Sequence, residues 1–498
     1  MMACMPRFLA PALVSASLLI APAVASATTI ERVTSPGGIE IWLVREPTVP
    51  LIAMDFAFRG GTSQDPADKP GVASLVSATI DEGSGDLPSR AFHERLESKA
   101  IELSFSATRD YFSGSLRTLV ENKDEAFELM RTSLAVPRLD AADVERIRGE
   151  TLGILRRESM NPDELAARRW WQAAFPGHPY AQPVRGTLDS VAAITVDDMR
   201  TYIRDAFARD TLKVGIVGNI DAATAGALVD KVFGGLPAHA KLRPVPPADP
   251  QGLGRVVNVD LDVPQSVLML GGAGIPRKDP DFMAAFLVNH ILGGGSLSSR
   301  LYKEVRETRG LAYSVYSMLV PLDSASLFMT ATATRNEAAN QTLDVVDQEI
   351  HRLAEKGPTA EELAKAKSYQ KGSFPLRFDT STKIAAQLVL MQIEDLGIDY
   401  IDKRNALVDA VTLADAQRVA KRLLDGGMLV AMVGRPQPAL AKGELKPGIK
   451  ADATIDPKTD VKTDAKSKAE AKVEAKSETP PAAAGANEAP AMLPARAR

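Results

Sequence analysis

The chain has 498 residues, of which 45% are hydrophobic and 24% charged. That is ordinary for a globular protein and long enough for about two to four domains. A formal net charge of −4 argues against nucleic acid or an anionic membrane surface as a partner held by bulk charge, and one cysteine, Cys4, rules out a disulfide framework.

Residues 1–27 read as a secretory signal peptide. Arg7 supplies the positive segment, Phe8 to Val24 is apolar, and Ala25-Ser26-Ala27 is a small-x-small cleavage site, so the mature chain is expected to start at Thr28. The apolar run is short and broken by Pro11 and Pro22, which favours cleavage over a retained anchor. No later segment is apolar enough for long enough to span a bilayer. Without Cys4 the mature chain has no thiol and tolerates an oxidising compartment; a periplasmic location is expected.

From Ile30 to Ala57 the residues are strand material, folded back at the Pro36-Gly37-Gly38 turn. A Gly/Asp/Pro loop from Arg59 to Pro70 leads into an apolar helix from Gly71. A second helix spans Ala91 to Lys99, and strands alternate from Leu103 to Leu119 around Asp110-Tyr111. Amphipathic helices follow over Asn122–Leu134 and Asp140–Glu158, and then a proline-rich loop carries His178-Pro179-Tyr180. Thr195 is placed to cap a helix running to Phe207. Leu212–Gly218 reads as a buried strand and Asp221–Phe233 as a helix.

Residues 237–254 are proline-rich and aperiodic and read as a linker. Beyond them the order of elements repeats: TLADAQRVAKRLLDGGMLVAMVGRP parallels TVDDMRTYIRDAFARDTLKVGIVGNI. Two copies of one unit of roughly 200 residues account for this. The expected fold is α+β: two homologous domains, 28–236 and 255–436, each a mixed, largely antiparallel sheet covered by helices on one face. Residues 437–498 are Lys, Ala, Asp, Glu and Pro with few large apolar side chains, and are expected to form a disordered tail.

The densest stretch is Leu292–Ser317, LGGGSLSSRLYKEVRETRGLAYSVYS. Gly293, Gly294 and Gly295 lead into a helix with Leu297, Leu301 and Val305 on one face. Gly310 is placed to end it in a left-handed cap. A strand follows with Leu311, Tyr313 and Val315 on one side. A reversal there brings the Arg306 guanidinium and the Tyr313 phenol to one spot, suited to a peptide carbonyl and the oxyanion formed from it. Composition alone equally allows a surface arginine in a charged run beside an ordinary strand tyrosine. The glycines lack the GxxxxGK[ST] pattern and read as a close-packing element or a hinge lining a groove.

The motif LGGG-x-x-SRL-x-x-x-VRE-x-RGLAYSVYS resembles the pitrilysin/insulinase family of zinc peptidases, in its two-domain processing-peptidase-like branch. The His-Pro-Tyr loop, the duplication and the Gly-Asn-Ile and Gly-Arg-Pro segments after the late strands extend the resemblance over most of residues 30–435. The resemblance implies that Arg306 and Tyr313 bind the substrate main chain and polarise the scissile carbonyl. Active members carry HxxEH on the first helix of the first domain, where two histidines hold zinc and the glutamate is general base. Here Ser74 and Ala78 stand at the histidine positions and Ser77 at the glutamate. The distal ligand position falls near Gly153 or Ile154, and the neighbouring Glu150 and Glu158 make no site alone.

The five histidines are scattered, and His93-x-x-x-Glu97 sits among charges. Ser74 and Ser77 have no base beside them for nucleophilic catalysis. The resemblance therefore implies a chain that binds no metal or cofactor itself. Its expected partner is a homologous HxxEH-containing subunit that carries zinc in a heterodimer acting on peptides. A scaffold or peptide-binding pseudo-peptidase, with no part in hydrolysis, is the other reading.

Overall fold

The computed structural model describes residues 29–436 and 450–451. The signal segment and most of the 437–498 tail lie outside the described residues. The first half contains β1 (Ile30–Thr34), β2 (Glu40–Arg45), β3 (Leu51–Arg59), α1 (Val72–Thr79), the two-residue strands β4 (Gly83–Ser84) and β5 (Leu87–Pro88), α2 (Ser89–Ser98), β6 (Glu102–Ala107), β7 (Tyr111–Leu119), α3 (Lys123–Ala135), α4 (Ala141–Glu158), α5 (Pro162–Ala174), α6 (Leu188–Ala193), α7 (Val196–Ala206), β8 (Lys213–Gly218) and α8 (Ala222–Phe233). The second contains β9 (Arg255–Asp260), β10 (Gln265–Ala273), α9 (Phe282–Asn289), β11 (Ala312–Pro321), β12 (Ser326–Arg335), α10 (Ala339–Lys356), α11 (Ala360–Ser373), α12 (Ser381–Ile393), α13 (Tyr400–Ala410), α14 (Leu413–Leu424), β13 (Leu429–Gly434) and β14 (Lys450–Ala451).

The duplication is visible in strand order. The sheets run β1-β2-β8-β3-β7-β6 and β14-β9-β13-β10-β12-β11. Each contains a parallel pair, β2 with β8 and β9 with β13, next to antiparallel strands. Lys450–Ala451 pairs in parallel with β9, so at these two residues the tail adds to the sheet, where a disordered segment was expected. Period-two alternation sends Ile52, Met54, Phe56 and Phe58 of β3 into the first core. There Phe56 meets Phe233 edge-on at 5.1 Å and Phe58 stacks on Phe207 at 4.8 Å. The capping signals also repeat: Thr195 with Asp198 and Thr412 with Asp415 close reciprocal boxes at the starts of α7 and α14.

Each half's own helices cover one sheet face. The second face of each sheet is covered by a helix from the other half. Helix α12 lies on β8 and β3, packing Ala385, Leu388 and Met391 against Trp42, Val44, Ala53 and Val217. Helix α5 lies on β13 and β10, packing Leu165, Ala166 and Trp170 against Val267, Val433, Leu429 and Ala431. Each exchanged helix also makes a buried polar anchor: Trp170 Nε1 donates to Leu429 O at 3.0 Å, and Gln392 Nε2 to Val214 O at 2.9 Å. Gly215 is required for this approach, because a Cβ there would lie 2.7 Å from Ala385 O.

The proline-rich segment 237–254 has no regular structure but is bonded along its length to both halves. Lys241 N donates to Asp205 O, Arg243 N to Gln64 Oε1, Ala248 N to Ser324 O and Gly254 N to Met428 O. A second tie between the halves forms at the β11–β12 turn. Asp110 accepts from Tyr180 Oη at 2.6 Å and from Asp323 N at 3.1 Å, while Ser324 N donates to Tyr180 Oη at 3.0 Å. Asp323 in turn accepts from Arg59 Nε at 2.7 Å and Tyr111 Oη at 2.8 Å.

Candidate functional site: an arginine–tyrosine pocket

The structure brings Arg306 and Tyr313 together. The Arg306 guanidinium carbon lies 4.4 Å from the centre of the Tyr313 ring and 4.9 Å from that of Tyr302, so the cation is held between two aromatic faces. Among the described residues no carboxylate lies within ion-pair distance of it.

Two local departures from regular geometry place this pair. The first is in the helix. Tyr302–Thr308 forms wide, π-type turns, where an α-helix was expected. Leu301 and Val305 are buried as expected, whereas Leu297 falls in a separate short turn, Ser296–Ser298, and is 66% exposed. The segment ends as the sequence predicts: Gly310 has φ +60°, with Gly310 N donating to Arg306 O and Leu311 N to Val305 O.

The second departure is in the strand. Ala312 lies opposite Thr334 and Val315 opposite Thr332, so Tyr313 and Ser314 together face the single residue Ala333. Simple alternation would have grouped Tyr313 with buried Leu311 and Val315. The bulge turns it outward, to 79% exposure. Threonine hydroxyls of β12 pin the displaced backbone: Thr332 Oγ1 donates to Ser314 O at 2.8 Å and Thr334 Oγ1 to Leu311 O at 2.6 Å. The cavity of about 480 Å³ at this spot is walled by Leu311, Ala312 and Ala333 as well as the Arg306–Tyr313 pair.

The three glycines pack tightly. A Cβ on Gly293 would lie 2.6 Å from Ser317 N on β11, one on Gly294 2.8 Å from Asn289 Nδ2, and one on Gly295 2.7 Å from His290 O. His290 lies in the buried layer beneath. Its Nδ1 faces Gln370 Nε2 at 3.1 Å and its ring stacks on Tyr369. Burial pushes it down to about 4, against a hydrogen bond with the Gly294 backbone, so the ring is neutral and can accept from the amide.

The zinc helix is intact as a helix. Asp65 caps α1, accepting from Gly71 N at 2.7 Å and Ala73 N at 2.9 Å. Burial raises Asp65 to about 7 in spite of those bonds. The ligand positions hold no donor set suited to zinc. Ser77 Oγ donates to Ser74 O of its own helix at 2.8 Å, and Ala78 offers only a methyl group. A Cβ on Gly153 of α4 would meet nothing closer than Arg157 Nη1 at 3.8 Å. Glu150 pairs with Arg146 and Glu158 with Arg185.

No group of three His, Cys, Asp or Glu side chains is arranged to hold a metal among the described residues. His93 faces Glu82, Nε2 to Oε2 at 3.4 Å. Burial acts to raise Glu82, but bonds from His93 and Ser89 and the charge of Arg146 hold it at about 2. Zinc needs three such ligands, and this helix face does not fit it.

This fold and these two faces belong to the M16 peptidase family, and the chain is a member of it. A family model described as Insulinase (Peptidase family M16) matches residues 41–188, and one described as Peptidase M16 inactive domain matches residues 193–369. A solved structure described as the peptidase M16 inactive domain from Pseudomonas fluorescens superposes with a TM-score of 0.77 at 28% identity, covering 84% of this chain and all of that one. An uncharacterized zinc protease of Streptomyces coelicolor is 26% identical over 82% of this chain and 90% of its own length. The Non-peptidase homolog YmxG of Helicobacter pylori is 27% identical over 67% of this chain and 77% of its own length.

Inspection of the sequence found Arg306, Tyr313 and the emptied helix. It missed Asp65, Asp110, Tyr180 and Asp323, which position the site's surroundings, and Arg335, which lines the pocket. Asp65 lies six residues before the N-cap Gly71, outside the position where a capping residue is read, and like the others it reaches its partners only through the fold.

Proposed function

We propose that this chain is the metal-free subunit of a two-chain zinc metallopeptidase acting on peptides, located in the periplasm. The observation that carries this is an asymmetry within one family fold. The face of α1 has lost all its metal ligands, while the second half retains an arginine, without an ion-pair partner among the described residues, stacked on an exposed tyrosine in a pocket. A homologous chain with intact HxxEH would supply zinc and general base. Arg306 and Tyr313 would hold the peptide carbonyl and donate to the oxygen as it gains charge. The likeness to inactive-domain and non-peptidase relatives supports a pseudo-peptidase role.

The test is reconstitution. The purified mature chain is expected to bind no stoichiometric zinc and to cleave no peptide, and to restore activity when mixed with the HxxEH-bearing chain that co-purifies with it. Chelator-sensitive cleavage by the chain alone would refute this. Restored activity that survives Arg306→Ala unchanged would favour a scaffold.

A further inference from the structure

The pocket beside Tyr313 carries more positive charge than a peptide carbonyl requires. Two guanidinium groups line it, Arg306 and Arg335, and no acidic side chain does. Arg335 ends β12 and stands opposite Gln265 of β10; alternation puts it on the same sheet face as Ala333, the residue that the Tyr313 bulge faces. Its ion-pair partner is Glu337 at 3.2 Å, outside the cavity lining, with both side chains more than half exposed. Such a pair is screened by water and yields readily to a better-placed anion.

A neutral main-chain carbonyl has two lone pairs, which Arg306 and Tyr313 already serve. A second, planar guanidinium beside it matches the fork of a carboxylate. We propose that Arg335 is a specificity-determining residue that selects peptides bringing a carboxylate into this pocket, as an acidic side chain or as the free C-terminus. This rests on the reading of the Arg306–Tyr313 pocket as a peptide site.

The test is fluorescence anisotropy with the mature full chain and one short, unstructured labelled peptide in three forms. One has a free C-terminus and no acidic side chain, one is C-terminally amidated and neutral, and one is amidated with a single internal glutamate. At least one charged form should bind about tenfold tighter than the neutral form, as a charge-assisted contact predicts. Which form does so identifies the source of the carboxylate. Arg335→Gln should bring all three to within about twofold of one another, while Arg335→Lys should restore part of the preference. If the neutral peptide binds in an Arg306-dependent way and as tightly as the charged forms, the selectivity claim is wrong and the peptide site stands. If the preference survives Arg335→Gln, the residue is misassigned. If no form binds, both readings fall together.

Discussion

The two halves share a strand order, yet they have diverged in opposite ways at corresponding elements. In the first half α1 is a regular helix, well capped by Asp65, with Ser74, Ser77 and Ala78 at the ligand positions and Ser77 buried. In the second half the corresponding region, from α9 through the glycines to β11, is locally irregular: two π-type segments, tight glycine contacts and a strand bulge pinned by threonines. Irregular backbone is costly to hold and tends to persist where it aims a side chain. Here it aims Arg306 and Tyr313. The half with regular geometry carries no metal-ligand set on α1, and the half with irregular geometry holds the arginine–tyrosine pair.

If the halves are one folding unit joined by exchanged helices, damage at an exchanged helix should be felt throughout. Trp170→Ala removes the largest side chain of the α5 contact and its bond to Leu429 O, and should cost about 3–5 kcal/mol in chemical denaturation, with a single transition retained. Two separate transitions would mean that the halves fold independently.

The two helix starts should also respond oppositely to acid, because the aspartates before α1 and α9 are shifted in opposite directions. Asp65 keeps its proton to about pH 7 when folded, whereas an unfolded aspartate releases it near 4, so its contribution to stability falls as pH rises between those values and is level above. Asp281 is held at about 2 by Arg418 and Arg422, so its stabilisation is present above about pH 4 and is lost as pH falls toward 2. Melting temperature against pH should peak on the acid side of neutral. Asp65→Asn should flatten the neutral limb and Arg418→Gln should blunt the acid one. A profile unchanged by both substitutions would remove this distinction between the halves.

A smaller effect is expected at the turn that ties β11 to the first half. Tyr180→Phe keeps the ring but leaves the Asp110 carboxylate and Ser324 N short of a partner, at a cost of about 1–3 kcal/mol. Amide hydrogen exchange should quicken along 312–321 and stay unchanged in α3 and α8. Uniform quickening would mean that the turn is an ordinary packing contact.

Much of this was legible in the residues. The repeat, the caps at Thr195 and Thr412, the cap at Gly310 and the emptied ligand positions are local patterns, and local patterns carry their own physics. The alternation of β11 was misread because a bulge needs partners, and its partners, Thr332 and Thr334, lie on the next strand. The exchange of α5 and α12 could not be read at all: an apolar helix face records that something covers it, not which sheet. The contacts of Asp110 join it to Tyr180, 70 positions away, and to Asp323, 213 positions away, and no spacing rule reaches that far.

The central claim is that this chain completes an active site in trans. The most direct measurement is the steady-state peptide hydrolysis of the reconstituted two-chain complex carrying Tyr313→Phe, with assembly followed by size-exclusion chromatography. The predicted result is a complex of unchanged size whose kcat/KM falls by about 10²-fold, the scale of one lost oxyanion donor. Full activity in the assembled variant would contradict it.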